Sequence, residues 1–183
     1  TITFKLRQGV LWHDGKPFTS ADVKWSAEEV WLKHAPSARR VFQYLKQVET
    51  PDDHTVVLHL SQPTPVALNA IDSLGAPILP RHLFEGTDIQ NNPYNNKPVG
   101  TGPFVFKEWN RGNYIVLERN AHYWQPERPF LDRIVWKIVP EESTRLTALQ
   151  SGQADLSRYL PQWAIKDLKG DKRLFVSRAD PFY

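Results

Sequence analysis

Six histidines, twenty acidic side chains and no cysteine set the acid–base and metal chemistry open to this chain of 183 residues. The histidines are His13, His34, His54, His59, His82 and His122. None makes the i, i+4 helical pair with a neighbouring carboxylate that holds zinc. His54 and His59 are five apart in an expected strand, so they face opposite sides of it. The missing cysteines remove disulfides, thiolate nucleophiles and cysteine-type zinc sites. No Gly-x-Ser-x-Gly elbow is present to raise a serine nucleophile. Gly100-Thr101-Gly102 lacks the second half of a dinucleotide fingerprint and precedes a strand, not a helix. No Gly-Lys-Ser/Thr occurs to cradle phosphate. The plainer reading of Gly100-Thr101-Gly102-Pro103 is a bend entering a strand, with glycine allowing close backbone approach and proline fixing φ. No catalytic residue, metal ligand or cofactor is expected.

The aromatic content is the unusual feature: seven Trp, six Tyr and nine Phe. Aromatic faces hold peptides, sugars and other amphipathic ligands in clefts. Core packing is the expectation for most of them, Trp136 included. Trp25 and Trp163 are less obviously core. Tyr159, Phe182 and Tyr183 fall at the ends of expected strands, where open α/β sheets present ligands. Net charge is +3 and the pI is near 9.1, but the basic residues form no run, so nucleic acid is not an expected partner. No apolar stretch reaches the roughly 20 residues that span a bilayer.

The elements that would position these groups begin with a strand over residues 1–6, where Ile2, Phe4 and Leu6 alternate with Thr3 and Lys5. Asp14-Gly15 marks a turn. Thr19-x-x-Asp22 resembles a capping box, with Asp in place of the usual Glu or Gln. The following helix carries Val23, Ala27, Val30 and Trp31 on one face, with Trp25 off it. A second helix is expected from a Ser37 cap, with Ala38, Val41, Phe42 and Leu45 as its stripe. A hairpin follows, turning at 51–53, with Val56, Leu58 and Leu60 on one face. Pro65 opens a helix to about Leu74. A polar, asparagine-rich loop covers residues 86–97.

Beyond it, residues 104–108 and 114–118 form a hairpin, and Asn120 to Trp124 a surface turn. Residues 133–139 form a strand apolar on both faces, as suits burial under helices. A helix over 141–151 ends at Gly152. A short strand at Ala154-Asp155-Leu156, a helical turn over 163–168 and a last strand over 173–178 complete the pattern. Strand–helix–strand order implies a right-handed crossover and a parallel or mixed sheet. The fold class is α/β, with α+β mixed sheets. The chain starts at Thr1 without an initiator Met or signal peptide and stops inside an apparent strand, so it is expected to be a fragment of a longer protein.

Taken together these segments resemble the solute-binding proteins of ABC importers, family 5, the oligopeptide-, dipeptide- and nickel-binding type. One block runs from Phe4 through Trp12-His13-Asp14-Gly15-Lys16-Pro17-Phe18-Thr19 to Val23. Another is Asp53-His54-Thr55-Val56 to Leu60, followed by Pro63. Pro80-Arg81-His82-Leu83 and Val99-Gly100-Thr101-Gly102-Pro103-Phe104 come next. Leu117-Glu118-Arg119-Asn120-x-x-Tyr123-Trp124 and Ala148-Leu149-Gln150-Ser151-Gly152-Gln153-Ala154-Asp155 complete the set. Order and spacing agree along nearly the whole chain.

The resemblance implies a type II periplasmic-binding-protein-like clamshell, present here in part. Residues 1–90 would be the small extra domain of the family, and 91–183 part of lobe I, without its N-terminal strands and without lobe II. The absent lobe supplies most ligand contacts in the family, so these 183 residues alone are expected to bind solute weakly or not at all. The ligand-binding positions implied are Ser157, Arg158 and Tyr159 in the loop after Asp155, Phe182 and Tyr183 at the strand entering the hinge, and Arg40 on the second helix. The plainer reading of each is an exposed loop or packing residue.

The implied function is non-enzymatic capture of a small solute, a peptide first, for delivery to a membrane permease. An oligosaccharide or opine ligand is the alternative within the family, and Ni²⁺ a further one. From other classes, an α/β hydrolase would show ester or peptide hydrolysis lost with one serine, and a sensor or chaperone-like module would lack neighbouring permease genes. The implied setting is a bacterial periplasm or a lipid-anchored extracytoplasmic position, with the full-length protein a monomer.

Overall fold

The computed structural model describes residues 1–72 and 75–177. Five strands and helices of the first half follow from the patterns above. Strand β1 (Ile2–Lys5) buries Ile2 and Phe4 more than Thr3 and Lys5. It pairs antiparallel with β3 (Thr55–Leu60), Phe4 opposite Val56. Strand β2 (Leu45–Asp52) pairs antiparallel with the other edge of β3, giving the order β1-β3-β2.

Helix α1 (Ser20–Trp25) starts at Thr19, whose backbone N–H donates to Asp22 Oδ2 at 2.9 Å. It continues as a π-helical stretch, Ser26–Trp31. Here the structure departs from the expected single stripe: Trp25 is buried, as are Asp22 and Ser26. The π turn closes i→i+5 bonds and re-phases the helix, so a 3.6-residue stripe no longer describes its buried arc. Trp31 anchors the core, with its ring 5.0 Å from Phe42 and its indole N–H donating to Pro77 O at 2.8 Å. Around this pair lie Val23, Val30, Ala38, Val48, Val56 and Leu58. Burying each such side chain contributes about 1.5–3 kcal/mol.

Helix α2 (Pro36–Val41) is capped by Ala35 with Pro36 in its first turn, not by Ser37. Proline's fixed φ prearranges that turn without a side-chain cap. Pro65 likewise opens a helical segment, but a 3₁₀ one ending at Ala70, shorter than expected. Helix α3 (Arg81–Phe84) follows. In the asparagine-rich loop Asn92 is buried, accepting the Tyr94 N–H at 2.8 Å and donating to Leu83 O at 2.9 Å.

Strands β4 (Phe104–Asn110), β5 (Tyr114–Arg119) and β6 (Arg133–Lys137) form a second sheet in that order. Arg119 N–H donates to Asp132 O and Ile138 N–H to Asn113 O, a pairing that runs β6 antiparallel to β5. Two corrections follow. Trp136 is 50% exposed rather than packed, and Val135 and Ile138 are exposed with it. The cause is position: β6 is an edge strand, and apolar alternation records affinity for a cover, not the cover itself. The expected crossover strand at Ala154–Leu156 does not form, and residues 173–177 are not a strand. Asn120 is also no open turn; it is buried and its amide donates to Gly102 O at 2.9 Å.

Helix α4 (Glu142–Gln150) ends at Ser151 and Gly152, the glycine at φ 75°. Helix α5 (Ile165–Gly170) follows a 3₁₀ turn, Gln162–Ala164. By compactness the chain divides into two units, residues 1–109 with 116–135, and residues 110–115 with those from Trp136 onward. The second unit has its own small core of Leu146, Ala164 and Leu168, with Leu160, Leu174 and Val176 against it.

Candidate functional site

The loop that holds Ser157, Arg158 and Tyr159 is fastened at both ends. At its start Ala154 N–H donates to Ala148 O at 3.0 Å, and Lys137 Nζ donates to Gln153 O at 3.1 Å. At its end Leu160 packs on the small core, and Pro161 leads into the 3₁₀ turn. Between these anchors the chain turns through Tyr159 at φ 57°, one of two non-glycine residues at positive φ among those described. The left-handed region costs an L-residue roughly 1–2 kcal/mol. Tyr159 nevertheless presents its ring to solvent, 76% exposed. Such outliers persist where surroundings dictate them, and they concentrate at functional sites.

Arg158 lies against that ring. Its guanidinium carbon is 5.0 Å from the ring centre, and its Nη2 donates to the Tyr159 hydroxyl at 3.2 Å. Ser157 Oγ is buried and has no hydrogen-bond partner. The structure thus brings these three sequence-expected residues together on one loop. Arg40 is exposed in the last turn of α2, within the first compact unit. Phe182 and Tyr183 lie outside the described residues.

In the first unit, sequence reasoning missed a groove of about 340 Å³ lined by Pro103, Phe104, Tyr123, Arg128, Phe130 and Leu131. The Arg128 guanidinium lies 4.1 Å from the Phe130 ring centre. No sequence signal joined these positions beyond the Tyr123-Trp124 motif. Two histidines meet carboxylates, His82 with Asp14 at 2.6 Å and His59 with Glu49 at 2.9 Å. Asp14 is held below the usual carboxylate range: partial burial opposes ionisation, but the His82 hydrogen bond and charge and the Lys16 N–H outweigh it. Among the described residues, no three His, Asp or Glu side chains are grouped to hold a metal ion.

All 183 residues match the model of the bacterial extracellular solute-binding proteins, family 5, middle region. The chain belongs to that family. Family 5 members are binding proteins, so membership sets this chain apart from the hydrolase reading. Its curated relatives include the oligopeptide-binding protein AppA of Bacillus subtilis, 36% identical over 154 residues. That match covers 81% of this chain and 28% of AppA. Among solved structures, AgaA of A. tumefaciens R10 in complex with agropinic acid is 36% identical, with a TM-score of 0.78. NikZ of Campylobacter jejuni in complex with Ni(L-His) is 29% identical, with a TM-score of 0.81. Each of these two matches covers 93% of this chain and 34% of the other. The family 5 chain described here therefore spans about a third of the length of the relatives it matches. Among its described residues, no helix is long and apolar enough to cross a membrane.

Proposed function

We propose that the protein is the extracytoplasmic binding component of an ABC importer and captures a small peptide for delivery to a membrane permease. The observation that carries this is the family match along residues 1–183, joined to 36% identity with an oligopeptide-binding protein. Binding of this kind buries the solute between two lobes by hinge closure. In this reading residues 1–90 are the small extra domain, and residues 91–183 are part of the first lobe. Tyr159, Arg158 and Ser157 face solute from the loop after Asp155, with Phe182 and Tyr183 at the hinge strand and Arg40 from α2. The exposed, backbone-strained Tyr159 supports the loop's part in this. The full-length protein acts as a monomer in the periplasm or on a lipid anchor.

An opine solute is the second reading, favoured by equal identity, 36%, to AgaA with its agropinic acid. Titrating the full-length gene product with tri- to pentapeptides and, separately, with agropinic acid decides between them. Micromolar or tighter peptide binding supports the first reading. Binding of agropinic acid alone replaces it with the second.

A further inference from the structure

We infer that Arg158 is a specificity-determining residue that reads a carboxylate on the solute, with Tyr159 as the plate beside it; this rests on the reading of the Ser157–Tyr159 loop as solute-facing. The geometry is that of a preassembled half-site. Arg158 is exposed, and among the described residues it has no carboxylate partner; its one hydrogen bond goes to the Tyr159 hydroxyl. That bond and the 5.0 Å approach to the ring hold the guanidinium beside an aromatic face. A guanidinium has five N–H donors in a planar fork that matches a carboxylate in two parallel bonds. Only one of those donors is used here, so the fork remains available. Tyr159 has few rotatable bonds and offers apolar area with a polar tip, which suits the group next to a carboxylate. Anchors at Ala154 and Leu160 keep the loop from swinging the pair away.

The ligand class this selects is a small solute with a carboxylate beside an apolar or aromatic group. A neutral sugar offers no partner for the fork, and a bare divalent cation is repelled by it. A peptide C-terminus fits, and so does an acid of the opine kind, so the inference is narrower in chemistry than the choice between them.

The test uses the full-length gene product and two matched libraries of tri- to pentapeptides free of Asp and Glu, one with free C-termini and one C-amidated. Affinity is read by calorimetry for the wild type, Arg158→Gln, Arg158→Lys and Tyr159→Gly, each checked for an unchanged far-ultraviolet spectrum. The expected result is a wild-type preference for free acids that falls about 10-fold in Arg158→Gln, equivalent to about 1.4 kcal/mol, and is partly kept in Arg158→Lys. Tyr159→Gly, which relieves the positive φ, is expected to bind both libraries more weakly. Equal wild-type affinity for acids and amides, or an acid preference that survives Arg158→Gln, overturns the assignment while leaving peptide capture intact. Failure of the wild type to bind either library overturns both.

Discussion

His13 and Gly100 are joined through both backbone and side chain. The His13 N–H donates to Gly100 O at 2.8 Å, and Gly100 N–H donates to His13 Nδ1 at 3.2 Å. With Nδ1 accepting, the ring proton sits on Nε2, which donates to Gly102 O at 3.0 Å. Neither glycine is at positive φ among the described residues. Gly100 is instead where the ring comes close: a Cβ there would lie 3.5 Å from His13 Cε1. The glycine bend is thus a fastening point for the turn after β1, and Asn120 holds the same Gly102 carbonyl from the other side.

Replacing the ring removes two part-buried bonds of about 1 kcal/mol each. His13→Phe is expected to lower the unfolding free energy by about 2 kcal/mol in urea titrations, with the slope unchanged. Nitrogen chemical shifts of the wild-type ring should report the Nε2–H tautomer. A loss below about 0.5 kcal/mol, or the other tautomer, contradicts the fastening.

Asp22 explains why the capping position carries Asp. Its carboxylate accepts the Thr19 N–H at 2.9 Å, the Arg81 N–H at 3.0 Å and the Trp12 indole N–H at 3.3 Å. One buried group ties the start of α1 to α3, 59 residues on. Asp22→Ala strands three donors and is expected to cost about 3 kcal/mol. Asp22→Glu keeps the charge but adds a methylene in a packed place, for about 1–2 kcal/mol. If Asp22→Glu is neutral, the short carboxylate is not what the site demands.

Acid should weaken the fold. Asp14, Asp52, Asp88 and Asp171 all have lowered folded values. Asp171 is held lowest, at about 2, by the Arg173 side chain and backbone N–H. A depressed folded pKa gives stability that is complete above the unfolded value, near 3.8, and is lost as pH falls through the folded one. Stability of the wild type should therefore decline from about pH 4 downward. In Asp171→Asn the decline between about pH 4 and pH 2 should be shallower in salt-matched melts. A steeper decline would reverse the assigned sign.

Local signals carried much of the fold. Alternation at Ile2 and Phe4, the Thr19 start, proline at 36 and 65, and Gly152 after α4 are each set by neighbours in sequence, and each forms as an element edge. What failed depended on remote partners. Trp25 is buried because a π turn re-phases its helix, and Trp136 is exposed because β6 lies at a sheet edge. Ser157, Arg158 and Tyr159 were legible only through family resemblance. The left-handed Tyr159 has no sequence signature, since glycine or asparagine is the usual marker.

The central claim is that the protein captures a peptide and leaves it unaltered. Mass spectrometry of the full-length gene product, purified without denaturation and then released in acid, tests it most directly. The account predicts a population of short peptides in near-stoichiometric amount, with added peptides retained uncleaved after overnight incubation. Recovery of no peptide, or of cleavage products that accumulate with time, would contradict it.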